Sequence, residues 1–164
     1  MTQHPVRLFD SDSAIRRIGE GLLARTLARS EWTHEAHLAA TLWLMTERPD
    51  IEAERELPDI IRAYNAAVGG VNDDHQGYHE TITQTYIAAI RDHLAERPGN
   101  DGLLASVNAL LTSPRGHRDW PLRLYSRERL FSVTARRRHI EPDLPCAPDA
   151  HGKAHAEGKA GENS

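Results

Sequence analysis

Apolar residues recur at three- and four-residue intervals along most of the chain, and no stretch alternates apolar and polar long enough to predict a strand. Ser11 or Ser13 caps a first predicted helix running to about Arg29, with Ile15, Ile18, Leu22 and Leu27 on one face. Gly19 and Gly21 interrupt that face and mark close approach by a neighbour. A second helix is predicted from near Thr33 to about Thr46, stopped by Pro49. A third covers roughly Ile51 to Val68, ends at Gly69 and Gly70, and should break at Pro58. A fourth follows the NDDHQGY loop from about Tyr78 to Arg97, and a short fifth carries Leu103, Leu104, Val107, Leu110 and Leu111. Residues 122–138 add one or two helical turns. From Glu141 the composition turns small and polar, with little to bury, which predicts a disordered tail over 141–164. The expectation is an all-α protein: one compact bundle of about five to six helices over 1–140.

Histidine stands out against this pattern. WTHEAHLAA places His34 and His37 three residues apart at one helix start, and DDHQGYHETIT places His75 and His79 four apart at another. At 100° per residue, Leu38, Thr41 and Met45 fall within about 40° of His34, so it heads an apolar stripe. His79 does the same above Thr83, Tyr86 and Ile90. If the preceding loop forms a helical turn, His75 sits one turn above His79. In an up-down bundle the second and fourth helices run parallel, which brings both histidine pairs to one end.

Burial and the positive end of a helix dipole both favour neutral imidazole, the form that ligates a metal. His34, His37, His75 and His79 are therefore candidate ligands for a divalent ion such as zinc, iron, nickel, copper or manganese. Glu80 and Glu35 are the candidate general bases, and Tyr78, Thr83 and Arg127 candidate substrate contacts. No HExxH motif is present, because Ile82 and Thr83 follow His79-Glu80. The same pattern also fits core histidines bonded to backbone or to the hydroxyls of Thr41 and Thr83.

Charge adds one further feature. Between Arg115 and His139 eight arginines face only Asp119 and Glu128, a segment near +6 in a chain of net charge −4. Such arginines clamp an anionic substrate, dock an acidic partner, or pair with the bundle's own acidic helices; the last is the commonest outcome. The mildly acidic total argues against general nucleic-acid binding. Cys146 is the sole cysteine, so no intramolecular disulfide forms. Neither a signal peptide nor a membrane-length apolar run is evident, and the expectation is a soluble cytoplasmic protein.

The stretches WTHEAHLA and GYHETIT, with LYSRERLFS further on, resemble motifs of small bacterial all-helical proteins over about residues 30–135. The resemblance implies a helical fold and carries no activity. Two functions follow from the residues alone. One is a metal-dependent enzyme, of hydrolase or oxygenase type, acting on a small polar or anionic substrate. The other is a non-enzymatic module binding a small ligand or protein through the same histidine-lined pocket.

Overall fold

The computed structural model describes residues 5–97 and 102–145, and all regular structure among them is helical. The elements are α1 (Asp12–Ala24), α2 (His34–Glu47), α3 (Ala53–Ala67), α4 (Glu80–Glu96), α5 (Gly102–Leu111), and the short α6 (Arg127–Leu130) and α7 (Val133–Arg137). Single 3-10 turns lie at Arg29–Glu31, Pro114–Gly116 and Trp120–Arg123. The all-α expectation holds.

Helix α2 is the centre of the bundle. From Glu35 to Leu44 all its residues are buried except His37, which is half-buried, so it contacts neighbours on every side rather than along one stripe. It packs against α1, α3, α4 and α5. The Thr33 hydroxyl caps it by accepting from the Ala36 N–H at 3.1 Å. Around it, Ile15 and Leu22 of α1, Leu57 and Tyr64 of α3, Ile87 and Ile90 of α4, and Val107 and Leu110 of α5 are essentially inaccessible. The Tyr64 hydroxyl is satisfied by donating to the Leu27 carbonyl at 2.9 Å.

Three boundaries differ from the sequence expectation, each for a local reason. Helix α1 stops at Ala24 rather than Arg29 because Arg25 adopts a left-handed backbone (φ 61°). The turn is closed by the N–H groups of Thr26 and Leu27, which both donate to the Gly21 carbonyl. Helix α3 runs straight through Pro58. Pro58 has no N–H for the Glu54 carbonyl one turn earlier, but the Gln84 amide of α4 donates to that oxygen at 2.8 Å. The chain also stays attached beyond residue 140. Leu144 N–H donates to the Leu124 carbonyl, Asp143 accepts from Ser126, and Arg129 donates to the Glu141 carbonyl at 2.7 Å. Residues 141–145 thus belong to the folded body, correcting the boundary drawn at 140; the rest of the expected tail, 146–164, lies outside the described residues.

Gly19 makes the α1–α2 contact. A Cβ there would overlap the Trp43 ring, so no larger residue fits without moving the indole. Gly19→Ala is expected to lower stability by about 2–3 kcal/mol, read by equilibrium urea unfolding. A loss below about 0.5 kcal/mol, the usual range for a surface change, would show that this interface is loosely packed.

Candidate functional site

The helix starts of α2 and α4 open onto one cavity of about 610 Å³. Helix α2 contributes His34, His37, Leu38 and Thr41, and α4 with its cap contributes His79, Ile82, Thr83 and Tyr86. Helix α3 supplies Leu57, Ile61 and Tyr64. The loop from Val68 to Tyr78 closes one side, and Phe131 and Arg136 close another. Val71 and Phe131 are 53% and 52% exposed while lining the cavity, which places them at its rim.

Each histidine has a distinct position. His79 is the N-cap of α4: its Nδ1 accepts from the Ile82 N–H at 3.2 Å, and its Nε2 lies 2.8 Å from the Leu130 carbonyl. A carbonyl only accepts, so Nε2 carries the proton and both ring nitrogens are committed. His34 donates from Nε2 to the Gly116 carbonyl at 2.9 Å, which leaves Nδ1 unprotonated. Its ring meets Tyr86 edge-on at 5.6 Å. His37 lies against the Trp32 ring, centroids 3.8 Å apart, and its own ring forms no hydrogen bond among the described residues. Burial, with a smaller contribution from neighbouring His34, pushes its pKa down to about 3. Burial also lowers the pKa values of His34 and His79, against the opposing effect of their carbonyl partners.

His75 does not join them. The loop before α4 is no helical turn: the Asp73 carboxylate accepts from the N–H groups of both His75 and Gln76, which leaves His75 on the exposed outside. Gly77, at φ +85°, passes so close to Val71 and Asn72 that no side chain fits there. The two candidate bases also lie off the wall. Glu35 turns away from the cavity to a small cleft beside Gly116 and Arg118, with an Arg118 nitrogen 3.8 Å from its carboxylate. Glu80 accepts from the Tyr78 hydroxyl at 2.7 Å and from Gln84 at 3.1 Å.

Of the candidate substrate contacts, Tyr78 and Thr83 are on the wall, and Arg127 is exposed outside it, over the Phe131 ring at 5.2 Å. Arg29, Trp32, Tyr64 and Arg136 also line the cavity; Arg29 and Tyr64 carry no signal in the sequence, whereas Arg136 belongs to the arginine segment whose composition suggests a clamp. Trp32 was legible as a wall residue beside a histidine, but no local spacing links Arg136 to a helix start more than fifty residues earlier.

A metal centre is the first expectation from the sequence, and the donor set does not fit one as placed. Among the described residues no three His, Cys, Asp or Glu side chains are grouped to hold an ion. His79 has no free lone pair, and His75 is on the outer turn; His34 Nδ1 and His37 remain, where an open catalytic site needs three protein ligands. Compared with known proteins, the chain matches no family model, no curated protein and no solved structure.

Two outcomes test this geometry. His79→Ala removes a helix cap and orphans the Leu130 carbonyl, for an expected loss of about 2–4 kcal/mol in urea unfolding; His79→Asn, which still caps, should recover part of it. The second concerns acid. His37 binds a proton more readily in the unfolded chain (near 6.5) than in the folded one (about 3), so its contribution is complete above pH 6.5 and lost as pH falls toward 3. Between pH 7.5 and 5 the wild type should lose about 2 kcal/mol more than His37→Gln. Equal losses would mean that His37 is not held in a desolvated place.

Proposed function

We propose that the cavity binds a small organic molecule, gripped by neutral imidazoles and aromatic faces. Its volume falls in the range of small-molecule sites, about 300–1,000 Å³, and its wall mixes apolar and aromatic side chains with a few polar groups. The observation that carries the reading is His37. Among the described residues, the other inward histidines His34, His79 and His93 commit ring nitrogens to backbone carbonyls, whereas His37 faces the cavity with one N–H donor and one acceptor unused. Its ring nitrogens have no protein partner among the described residues and are open at the cavity to a ligand's donor and acceptor. His34 Nδ1 adds a second acceptor, and Trp32 and Tyr86, both half-buried on the wall, offer ring surface.

This reading follows the binding-module alternative drawn from the sequence. The metal-dependent hydrolase or oxygenase reading would need Glu35 or Glu80 at the reacting atoms, and neither reaches the wall.

Untagged protein, purified without chelators, should melt at a higher temperature with a subset of a small-molecule fragment collection. A ligand at a hundredfold its Kd adds about 2.7 kcal/mol, a shift of several degrees. The shift should vanish in His37→Phe, whose own melting temperature is measured alongside. Elemental analysis decides against the reading if it finds stoichiometric metal that is lost in both His34→Ala and His37→Ala.

A further inference from the structure

We infer that the ligand is an aromatic anion, its charge met by Arg29 and Arg136 and its ring held against Trp32, Tyr86 and Phe131. This rests on the cavity being a ligand site. Acidic residues outnumber basic ones in the chain, 24 to 20, yet no aspartate or glutamate lines this cavity among the described residues. Two arginines do, and neither is neutralised. Arg136 is half-buried and donates to the Gly77 and Tyr78 carbonyls at 3.0 and 3.3 Å, with no carboxylate partner among the described residues. Arg29 is exposed and forms no ion pair among them.

Elsewhere several arginines are paired with carboxylates. Arg16 pairs with Glu47, Arg48 with Asp50, Arg91 with Glu54, Arg115 with Glu96 and Arg137 with Asp74. Arg25, Arg123, Arg127 and Arg138 also form no ion pair among the described residues, but Arg29 and Arg136 are the arginines on the cavity wall, where no carboxylate offsets them. A guanidinium with no internal partner, beside a low-dielectric wall, selects a carboxylate or phosphate. The wall also carries aromatic rings among its aliphatic side chains. Trp32, Tyr86 and Phe131 are its accessible rings, and the Tyr78 and Tyr86 hydroxyls are already bonded to Glu80 and the His117 carbonyl. These rings therefore offer stacking surface rather than hydrogen bonds.

Four probes separate the parts of this inference: 2-naphthoate, 2-naphthyl phosphate, neutral 2-naphthamide and the aliphatic anion hexanoate. Affinities are measured by calorimetry, and the site is located by amide chemical-shift changes in full-length protein. One naphthyl anion should bind at least tenfold tighter than the amide and than hexanoate. Its affinity should fall at least fivefold in Arg29→Gln and stay unchanged in Arg55→Gln, an arginine paired with Glu52 on the outside. Arg29 is exposed and its side chain holds no other part of the described fold by hydrogen bond or ion pair, so its variant should fold normally; its melting temperature checks this. The tighter of the two anions identifies carboxylate or phosphate. Binding of the amide within twofold of both anions, or an unchanged affinity in Arg29→Gln, overturns the charge assignment while the cavity reading stands. Hexanoate binding as tightly overturns the aromatic part. If none of the probes shifts the cavity amides, this inference falls; the fragment melts above, with His37→Phe, decide separately whether the cavity reading falls with it.

Discussion

A folded chain has to satisfy the carbonyls it buries, and after α5 this protein has few helical bonds with which to do so. From residue 112 onward only the one-turn α6 and α7 and two 3-10 turns supply regular internal partners among the described residues. The bundle supplies the rest through side chains. His34 donates to Gly116, His79 to Leu130, Tyr86 to His117 and Thr81 to Arg138. His93 makes the same kind of bond to Ser106 on α5, at 3.0 Å. Imidazole suits this role because its Nε2–H reaches a carbonyl at the end of a rigid ring, and burial keeps it neutral. The irregular segment is thereby pinned across the starts of α2 and α4. Phe131 and Arg136 become a wall, and the space behind them becomes the cavity.

That constraint explains why histidine spacing pointed to the cavity but not to the bonds made there. Inward facing and a shared end of the bundle were legible, because helical periodicity fixes both. The partner of each imidazole was not, because it lies 51 residues away for His79 and 82 for His34, in a segment with no periodicity to read. His75 failed for a different reason. Asp73 locks the loop into a turn, and that competes with the helical register which would have aligned His75 with His79. The helices themselves were readable to within a few residues, except where a tertiary contact intervened. The Glu54 carbonyl that Pro58 cannot serve is met by Gln84 from another helix, and Arg25 turns left-handed where the pattern alone would continue the helix.

The arginine-rich segment shows the same division. Its composition suggested a clamp or a docking face, and most of it instead fastens the segment down. Arg115 and Arg137 pair with carboxylates of the helix and loop beneath, and Arg129 holds the Glu141 carbonyl. Arg127 and Arg123 lie over Phe131 and Trp120. Arg136 is the member that reaches the cavity, and it does so because α7 packs against the start of α4. Structure and candidate function thus share one set of contacts: the bonds that hold the segment also shape the pocket and leave His37 facing into it.

The state of the imidazole nitrogens tests this account most directly. Ring 15N chemical shifts recorded at pH 7 should show His34, His79 and His93 as neutral Nε2–H tautomers, and His37 as neutral, with no change on adding a chelator. An Nδ1–H tautomer at His79, an imidazolium at His37, or shifts that collapse on chelation would contradict it. Any of these would mean that the histidines serve something other than backbone carbonyls and an organic ligand.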